Sequence, residues 1–465
     1  SGTINPITGV YSNTTPGTYT ITASSQQNTA VTGTATVTVV NSANNSLPIT
    51  VDGGPPALVA LNPPQVYVNG AFATVTVCAP GTSNCQTIDH VLIDTGSVGL
   101  RLLAQGAAGG ELNPTPFPLQ TDSSGNPIGQ CNAFVDGVTW GSVSLATVQL
   151  TQPMNGQAGE TASTPLNVTP PPTVAGLPIQ IIGDPRVPSI PSTCTSQGTD
   201  ESTLASFGAY GVLGVGNYEQ DCGPACVTNS PPPDLYYSCP SSGCNPIAVG
   251  LAQQVTNPDW ALPADNNGVL IQLPSVPSGG QALVNGNLIF GIGTQTNNGL
   301  GAATVFDIDN NPSDTTYTFF TTVFNGQTNS CSYIDSGSNA YFFPSAGYPG
   351  LIACTGTNAP FYCPTSNGQP TLLALNAINQ SAANTNGATG TVSFNVGNAN
   401  TLFTNNGDAN NAFSELGGPN SPVSGCGSSF DWGLSFFYGK PNGVFTGIEQ
   451  QPVTGTTVVG PFWAY

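Results

Sequence analysis

The chain has 465 residues, among them 57 Gly, 42 Pro and 12 Cys, and 38% of it is hydrophobic. Three basic residues stand against 23 acidic ones, a formal charge of −20. That balance excludes nucleic acid as a partner, because neutralising phosphates needs cations, and it excludes electrostatic docking on anionic membranes.

The length suffices for two or three domains with a large core. Gly, Pro, Ser, Thr and Asn are abundant and long helical patterns are missing, which predicts an all-β fold of short strands joined by turns. Regular apolar runs argue for a folded chain rather than a low-complexity one. At about pH 3 many carboxylates are protonated and their self-repulsion fades. The composition therefore tolerates an acidic exterior, although an ordinary secreted surface can look the same. Several cysteines fall in close pairs: Cys78 and Cys85, Cys222 and Cys226, Cys239 and Cys244, Cys354 and Cys363. His90 is the one histidine, so disulfides in an oxidising, extracellular or cell-surface compartment are the better reading. Neither a metal nor a cofactor is expected. No run of about 18 apolar residues is present, so no membrane span is expected. The N-terminus lacks a leader pattern, which reads as a mature form.

Residues 1–42 are expected to form a small β unit. Gly17-Thr18-Tyr19-Thr20-Ile21-Thr22-Ala23 and Gly33-Thr34-Ala35-Thr36-Val37-Thr38-Val39-Val40 alternate apolar and hydroxyl residues, as strands do. The stretch resembles the last strands of bacterial immunoglobulin-like repeats, although a plain hairpin spacer reads as well. Two or three strands bury too little alone and leave unpaired edges. Preceding residues, the rest of this chain or a neighbouring chain should complete them, and the last option would make the unit a point of self-assembly or surface attachment.

Residues 43–57 read as a linker. Residues 58–274 read as a first lobe, with an insertion pinned by the four cysteines between 222 and 246. Ala73-Thr74-Val75-Thr76-Val77-Cys78 pairs naturally with the run 86–93 across a Pro80-Gly81 turn, and a Cys78–Cys85 bridge would staple that hairpin. The hairpin delivers Val91-Leu92-Ile93-Asp94-Thr95-Gly96-Ser97. Residues 133–150 read as a second hairpin with a Gly-containing tip. Residues 151–200 read as extended. Residues 247–255 are the best helix candidate, about two turns long. A second lobe, 275–465, opens with the glycine-rich strand 287–293. The run 316–326 then leads through Cys331 to Tyr333-Ile334-Asp335-Ser336-Gly337-Ser338.

Two apolar runs thus end in Asp-(Thr/Ser)-Gly-Ser, one in each half of the chain. The run buries a strand, and the glycine lets the backbone turn without crowding the carboxylate. The hydroxyls can fix the carboxylate planes. One such stretch is an ordinary turn signal; two with buried-strand runs before them are specific. The pattern resembles the pepsin-like aspartic peptidases, in which each of two lobes supplies one Asp from such a loop. Each lobe of that family also has a later apolar-apolar-Gly segment crossing behind its loop. Tyr210-Gly211-Val212-Leu213-Gly214-Val215-Gly216 is similar to it in the first half. Residues 431–439 are the nearest match in the second, with Tyr438 where a smaller apolar residue is usual. The chain also resembles exported bacterial proteins with this pattern whose function is unassigned.

The resemblance covers about residues 58–465 and implies a two-lobed, pepsin-like β fold acting on polypeptides. It makes Asp94 and Asp335 the catalytic pair. Thr95, Gly96, Ser336 and Gly337 would shape the two loops, and Ser97 and Ser338 would hydrogen-bond the outer carboxylate oxygens. Residues 133–150 are similar to the flap that covers substrate, with Phe134, Asp136, Gly137 and Trp140 as its candidate contacts. The family's flap tyrosine has no clear counterpart. The rival to an endopeptidase is a catalytically silent pepsin-fold module of a bacterial surface or filamentous assembly.

Other chemistries fit less well. A Ser-His-Asp triad would need His90 as base, and strand parity puts His90 on one face with Asp94, which is poorly placed to orient it from the same strand. A glycosidase could use two carboxylates but does not require the repeated loop. Neither a phosphate-binding Gly-Lys loop nor a zinc-ligand cluster is present.

Overall fold

The structure is a computed structural model. It describes all residues except 1–2, 5–10, 13–16, 26, 28, 40–44, 107–108, 154–158, 166–174, 309–318, 383–384, 405–408 and 421–425. The architecture is all-β and two-lobed. A 16-stranded sheet runs from the first half of the chain into the second, and a 7-stranded sheet is built from the second half alone. Among the described residues no helix is long and apolar enough to cross a membrane.

The strand that joins the halves lies inside the stretch expected to be a linker. Ser46–Val51 pairs with Val284–Phe290 on one side and with Phe72–Cys78 on the other. Its alternation buries Leu47, Ile49 and Val51 while Pro48 points outward. A short helical turn, Pro56–Val59, follows. The linker reading of 43–57 is therefore corrected: a strand of six residues between two polar stretches looks like a tether until its partners are known.

Phe72–Cys78 and Cys85–Asp94 form the expected hairpin, closed by Cys78–Cys85. The second hairpin is made by Ile128–Ala133 and Val138–Gln149, so it begins before residue 133 and turns over 134–137. Within 151–200, expected to be extended, Leu177–Ile182 is a fully buried strand parallel to Val98–Leu103. The helix expected over 247–255 is one 3-10 turn, Leu251–Gln253. Gly250 stands extended before it, with ψ 156°, and an isolated two-turn helix gains too little to form. The strand expected at 316–326 is Phe320–Phe324 where it is described.

At the N-terminus, Gly17–Ser24 and Thr32–Val39 pair with each other as a two-stranded sheet. All twelve cysteines are bridged. Cys78–Cys85 is joined as expected, the other three close pairs are joined as well, and Cys131–Cys194 and Cys331–Cys426 complete the set. Six disulfides point to an oxidising compartment.

The two halves pack differently. Around the first Asp loop the core is aliphatic, with Val75, Val91, Ile93, Leu100, Leu102 and Ile179 almost fully buried. In the second half it is aromatic. Phe430 stacks on Trp432 at 4.3 Å and on Phe343 at 4.7 Å, and Phe394 meets Trp432 edge-on.

Candidate active site

Each Asp loop is the tip of the same three-strand arrangement. Cys85–Asp94 ends in Asp94, the chain turns, and Val98–Leu103 leads away. Gly211–Val215 then inserts between them, parallel to the first strand and antiparallel to the second. In the other half, Ser429–Trp432 inserts between Gln327–Ile334 and Tyr341–Phe342 in the same way. The crossing segments need glycine where they pass the loops. A Cβ on Gly214 would lie 2.8 Å from Ser97. One on Gly433 would lie 2.0 Å from the Ala340 carbonyl oxygen. The second-half crossing is thus the Asp431-Trp432-Gly433 part of the sequence match. Tyr438 lies beyond it and anchors a different segment, its hydroxyl donating to Asn69 Oδ1 at 3.1 Å.

The two loops are tied by hydrogen bonds related by an approximate two-fold axis. The Thr95 amide donates to Ser336 Oγ (3.1 Å), and the Ser336 amide donates to Thr95 Oγ1 (2.9 Å). Thr95 Oγ1 donates to the Ile334 carbonyl (3.1 Å), and Ser336 Oγ donates to that of Ile93 (2.7 Å). Both side chains are buried, so this lattice holds the loops in register away from water.

Above it the carboxyls meet. Gly96 N–H donates to Asp94 Oδ1 at 2.8 Å, and Gly337 N–H donates to Asp335 Oδ1 at 2.7 Å. Ser97 Oγ donates to Asp94 Oδ2, and Ser338 Oγ donates to Asp335 Oδ2 at 2.9 Å. Each glycine also lies against the opposite acid. A Cβ on Gly96 would stand 2.6 Å from Cγ of Asp335, and one on Gly337 would stand 2.7 Å from Cγ of Asp94. The two carboxyl groups converge on one place: a Cβ on Gly337 would lie 2.7 Å from Asp94 Oδ1 and 3.2 Å from Asp335 Oδ1. Burial, then the Asp94 charge, holds the Asp335 carboxyl well above the usual carboxylate range, and Asp431 adds to this. Two such groups in contact cannot both ionise and share one proton.

The expected flap contacts divide. Phe134 is half-buried and packs against Phe207 at 6.0 Å. Asp136 is exposed at the tip. Gly137 is where the tip meets the segment 199–201, since a Cβ there would strike the Thr199 carbonyl and the Glu201 side chain. Trp140 is corrected: it is buried under the hairpin, its indole N–H donates to the Pro188 carbonyl, and its ring meets Tyr237 edge-on.

Sequence reasoning missed four residues. Tyr67 comes from the segment before the first hairpin, with its hydroxyl 3.4 Å from the Gly337 carbonyl. Burial raises its pKa, and so do the charges of Asp136, Asp94, Asp335 and Glu201, which places it between the flap tip and the acid pair. Glu201, beside the tip, is pushed up to about 7 by burial and by Asp136 and Asp200. Arg101 is fully buried and pairs with Asp221 at 3.0 Å and Asn132 at 2.8 Å. Asp431 is the fourth. For Arg101 a signal existed, a lone charge inside the apolar run 98–103; for Tyr67 there was none.

A two-lobed β fold with one Asp loop per lobe, tied by a symmetric hydrogen-bond lattice, is the class this architecture defines. Residues 41–465 match the family described as a protein of unknown function, DUF3443, and the chain belongs to that family. No curated protein matches it. Among solved structures it is similar to an aspartic proteinase from Irpex lacteus, at 17% identity over 84% of this chain and 91% of that one, with a TM-score of 0.44.

Proposed function

We propose that the protein is an exported aspartic endopeptidase that hydrolyses polypeptides at acidic pH. The observation that carries this reading is the mutual approach of Asp94 and Asp335, each closed by the other loop's glycine. With one proton between them, the ionised carboxylate acts as general base on a water molecule. The protonated carboxyl donates to the scissile carbonyl and stabilises the oxyanion that develops. No covalent intermediate forms. An extended substrate lies under the hairpin tip at 134–137 and adds a strand to it. The disulfides support an extracellular site of action.

The test is hydrolysis of an unfolded protein across about pH 3 to 5, where such a pair holds one proton. Asp94→Asn and Asp335→Asn should each lower the rate by about 10³-fold or more, since an amide is neither base nor proton donor of the right kind. Folding should be retained. If the wild-type protein cleaves nothing in that range and binds no pepstatin-type inhibitor, the peptidase reading is lost and the silent module takes its place.

A further inference from the structure

Arg101 lies on the strand that leads away from the first Asp loop, and it is fully buried. A buried guanidinium is costly unless its hydrogens find acceptors. Four of its five N–H groups do. Nη1 donates to the Val98 carbonyl at 2.5 Å and to the Gly99 carbonyl at 3.4 Å. Nη2 donates to Asn132 Oδ1 at 2.8 Å and to Asp221 Oδ2 at 3.0 Å. Among the described residues only its Nε–H lacks an acceptor.

These contacts join separate parts of the first half. Val98 directly follows Ser97, whose hydroxyl donates to Asp94 Oδ2. Asn132 is on the first strand of the 128–149 hairpin, just before its tip. Asp221 opens the insertion pinned by Cys222–Cys226. It also accepts from Gln130 of the same hairpin strand and, at 2.6 Å, from the Tyr236 hydroxyl. Tyr236 belongs to a short strand, Tyr236–Ser238, that pairs with that hairpin strand.

The second half shows that an Asp loop does not itself need this cation. In the first half Arg101 pairs with Val212, two residues before Gly214. In the second half Phe342 pairs with Asp431, two residues before Gly433. Phe342 thus stands in the place of Arg101, with its ring 6.3 Å from that of Phe361. The guanidinium therefore serves something particular to the first half, and the element it reaches is the hairpin.

We propose that Arg101 is a positioning residue that fixes the hairpin relative to the first Asp loop, holding the loop by the Val98 carbonyl and the hairpin by Asn132. A planar fork with fixed donor directions allows one relative placement of the two, where a flexible ammonium would allow many. The catalytic consequence rests on the peptidase reading; the coupling does not. A substrate strand held by the hairpin tip meets the acid pair correctly only if both are placed together, and a misplacement of about 1 Å costs up to about 10²-fold in rate. Burial pushes the Asp221 carboxyl up to about 6 against the pull of Arg101, so at acidic pH Asn132 is the tie that does not titrate.

Asn132→Ala cuts that tie and leaves the Arg101–Asp221 pair in place. It should lower kcat about tenfold with KM within about threefold of wild type, the size of one hydrogen bond to a charged group. Asn132→Asp keeps an oxygen for Arg101 and should recover kcat to within about threefold of wild type. Amide hydrogen exchange gives a reading free of catalysis. In Asn132→Ala, protection over 128–133 should fall about tenfold, while over 327–334 in the second half it stays as in wild type. Unchanged exchange over 128–133 overturns the proposal, as does an alanine variant as fast as an active wild type. A wild-type protein that cleaves nothing removes the peptidase reading alone, and exchange then decides the coupling. Should the alanine variant fail to fold, Gln130→Leu, which removes the hairpin's hydrogen bond to Asp221, is read in the same two ways.

Discussion

Gly96 and Gly337 set the site at the scale of single residues. Each is where a methyl group would enter the opposite carboxyl group. Gly96→Ala and Gly337→Ala should therefore leave the fold intact and remove hydrolysis, by separating the pair beyond proton-sharing distance. Assay of both variants beside their far-ultraviolet circular dichroism checks this. Asn69 acts at the same scale on stability. Its φ is +50°, a conformation that asparagine tolerates better than most residues. Its side-chain amide donates to the Asn339 and Phe413 carbonyls, both at 2.8 Å, and its oxygen accepts from the Phe413 amide and the Tyr438 hydroxyl. Asn69→Ala leaves two buried donors without an acceptor and should destabilise by on the order of 3 kcal/mol, read from urea unfolding.

At the scale of elements, the disulfides differ in what they close. Cys331–Cys426 joins the second Asp strand to the segment before its crossing strand, 95 residues apart, whereas Cys222–Cys226 spans 4. Loop entropy makes the long bridge worth on the order of 4 kcal/mol and the short one about half as much. Replacing both cysteines of each pair by serine should lower the thermal midpoint more for the long bridge. Denatured without reductant, the wild-type chain should show no reactive thiol. The elements also mark what a linear reading loses. The hairpin leading to Asp94 was legible because its apolar alternation, turn and cysteine pair are all local. The strand at 46–51 was not, because both of its partners are remote, one of them beyond residue 280.

At the scale of the whole molecule the carboxyls outnumber their partners. Arg101 and Arg186 are engaged by Asp221 and Asp184, and Lys440 lies over the Phe436 ring. Several acids are instead held protonated by burial: Glu160 and Glu219 are both pushed up to about 7, Glu219 also by Glu449 across the junction of the halves. A carboxyl raised on folding means that the folded state binds more protons than the unfolded one. Its contribution is complete below the unfolded value, about 4.3 for Glu, and is lost as pH rises through about 7. His90, raised by its hydrogen bond to Asp52, loses its contribution in the same direction as pH rises. The thermal midpoint should therefore be higher near pH 4 than near pH 7. Glu219→Gln with Glu449→Gln should flatten that difference.

What the sequence determined was whatever a short window contains: the all-β class from turn density, the two Asp loops from an apolar run followed by a small hydroxyl residue and glycine, and the Cys78–Cys85 bridge from a cysteine pair flanking a turn. Tertiary structure decided the rest, because it depends on which remote segments meet. Trp140 looked like a cleft aromatic until the pleat placed its ring beneath the hairpin. Tyr67 gained its place from a loop 270 residues away in the chain. Asp431 sat inside an apparently apolar crossing, and only the fold buries its carboxyl in the strand that pairs with the second Asp strand.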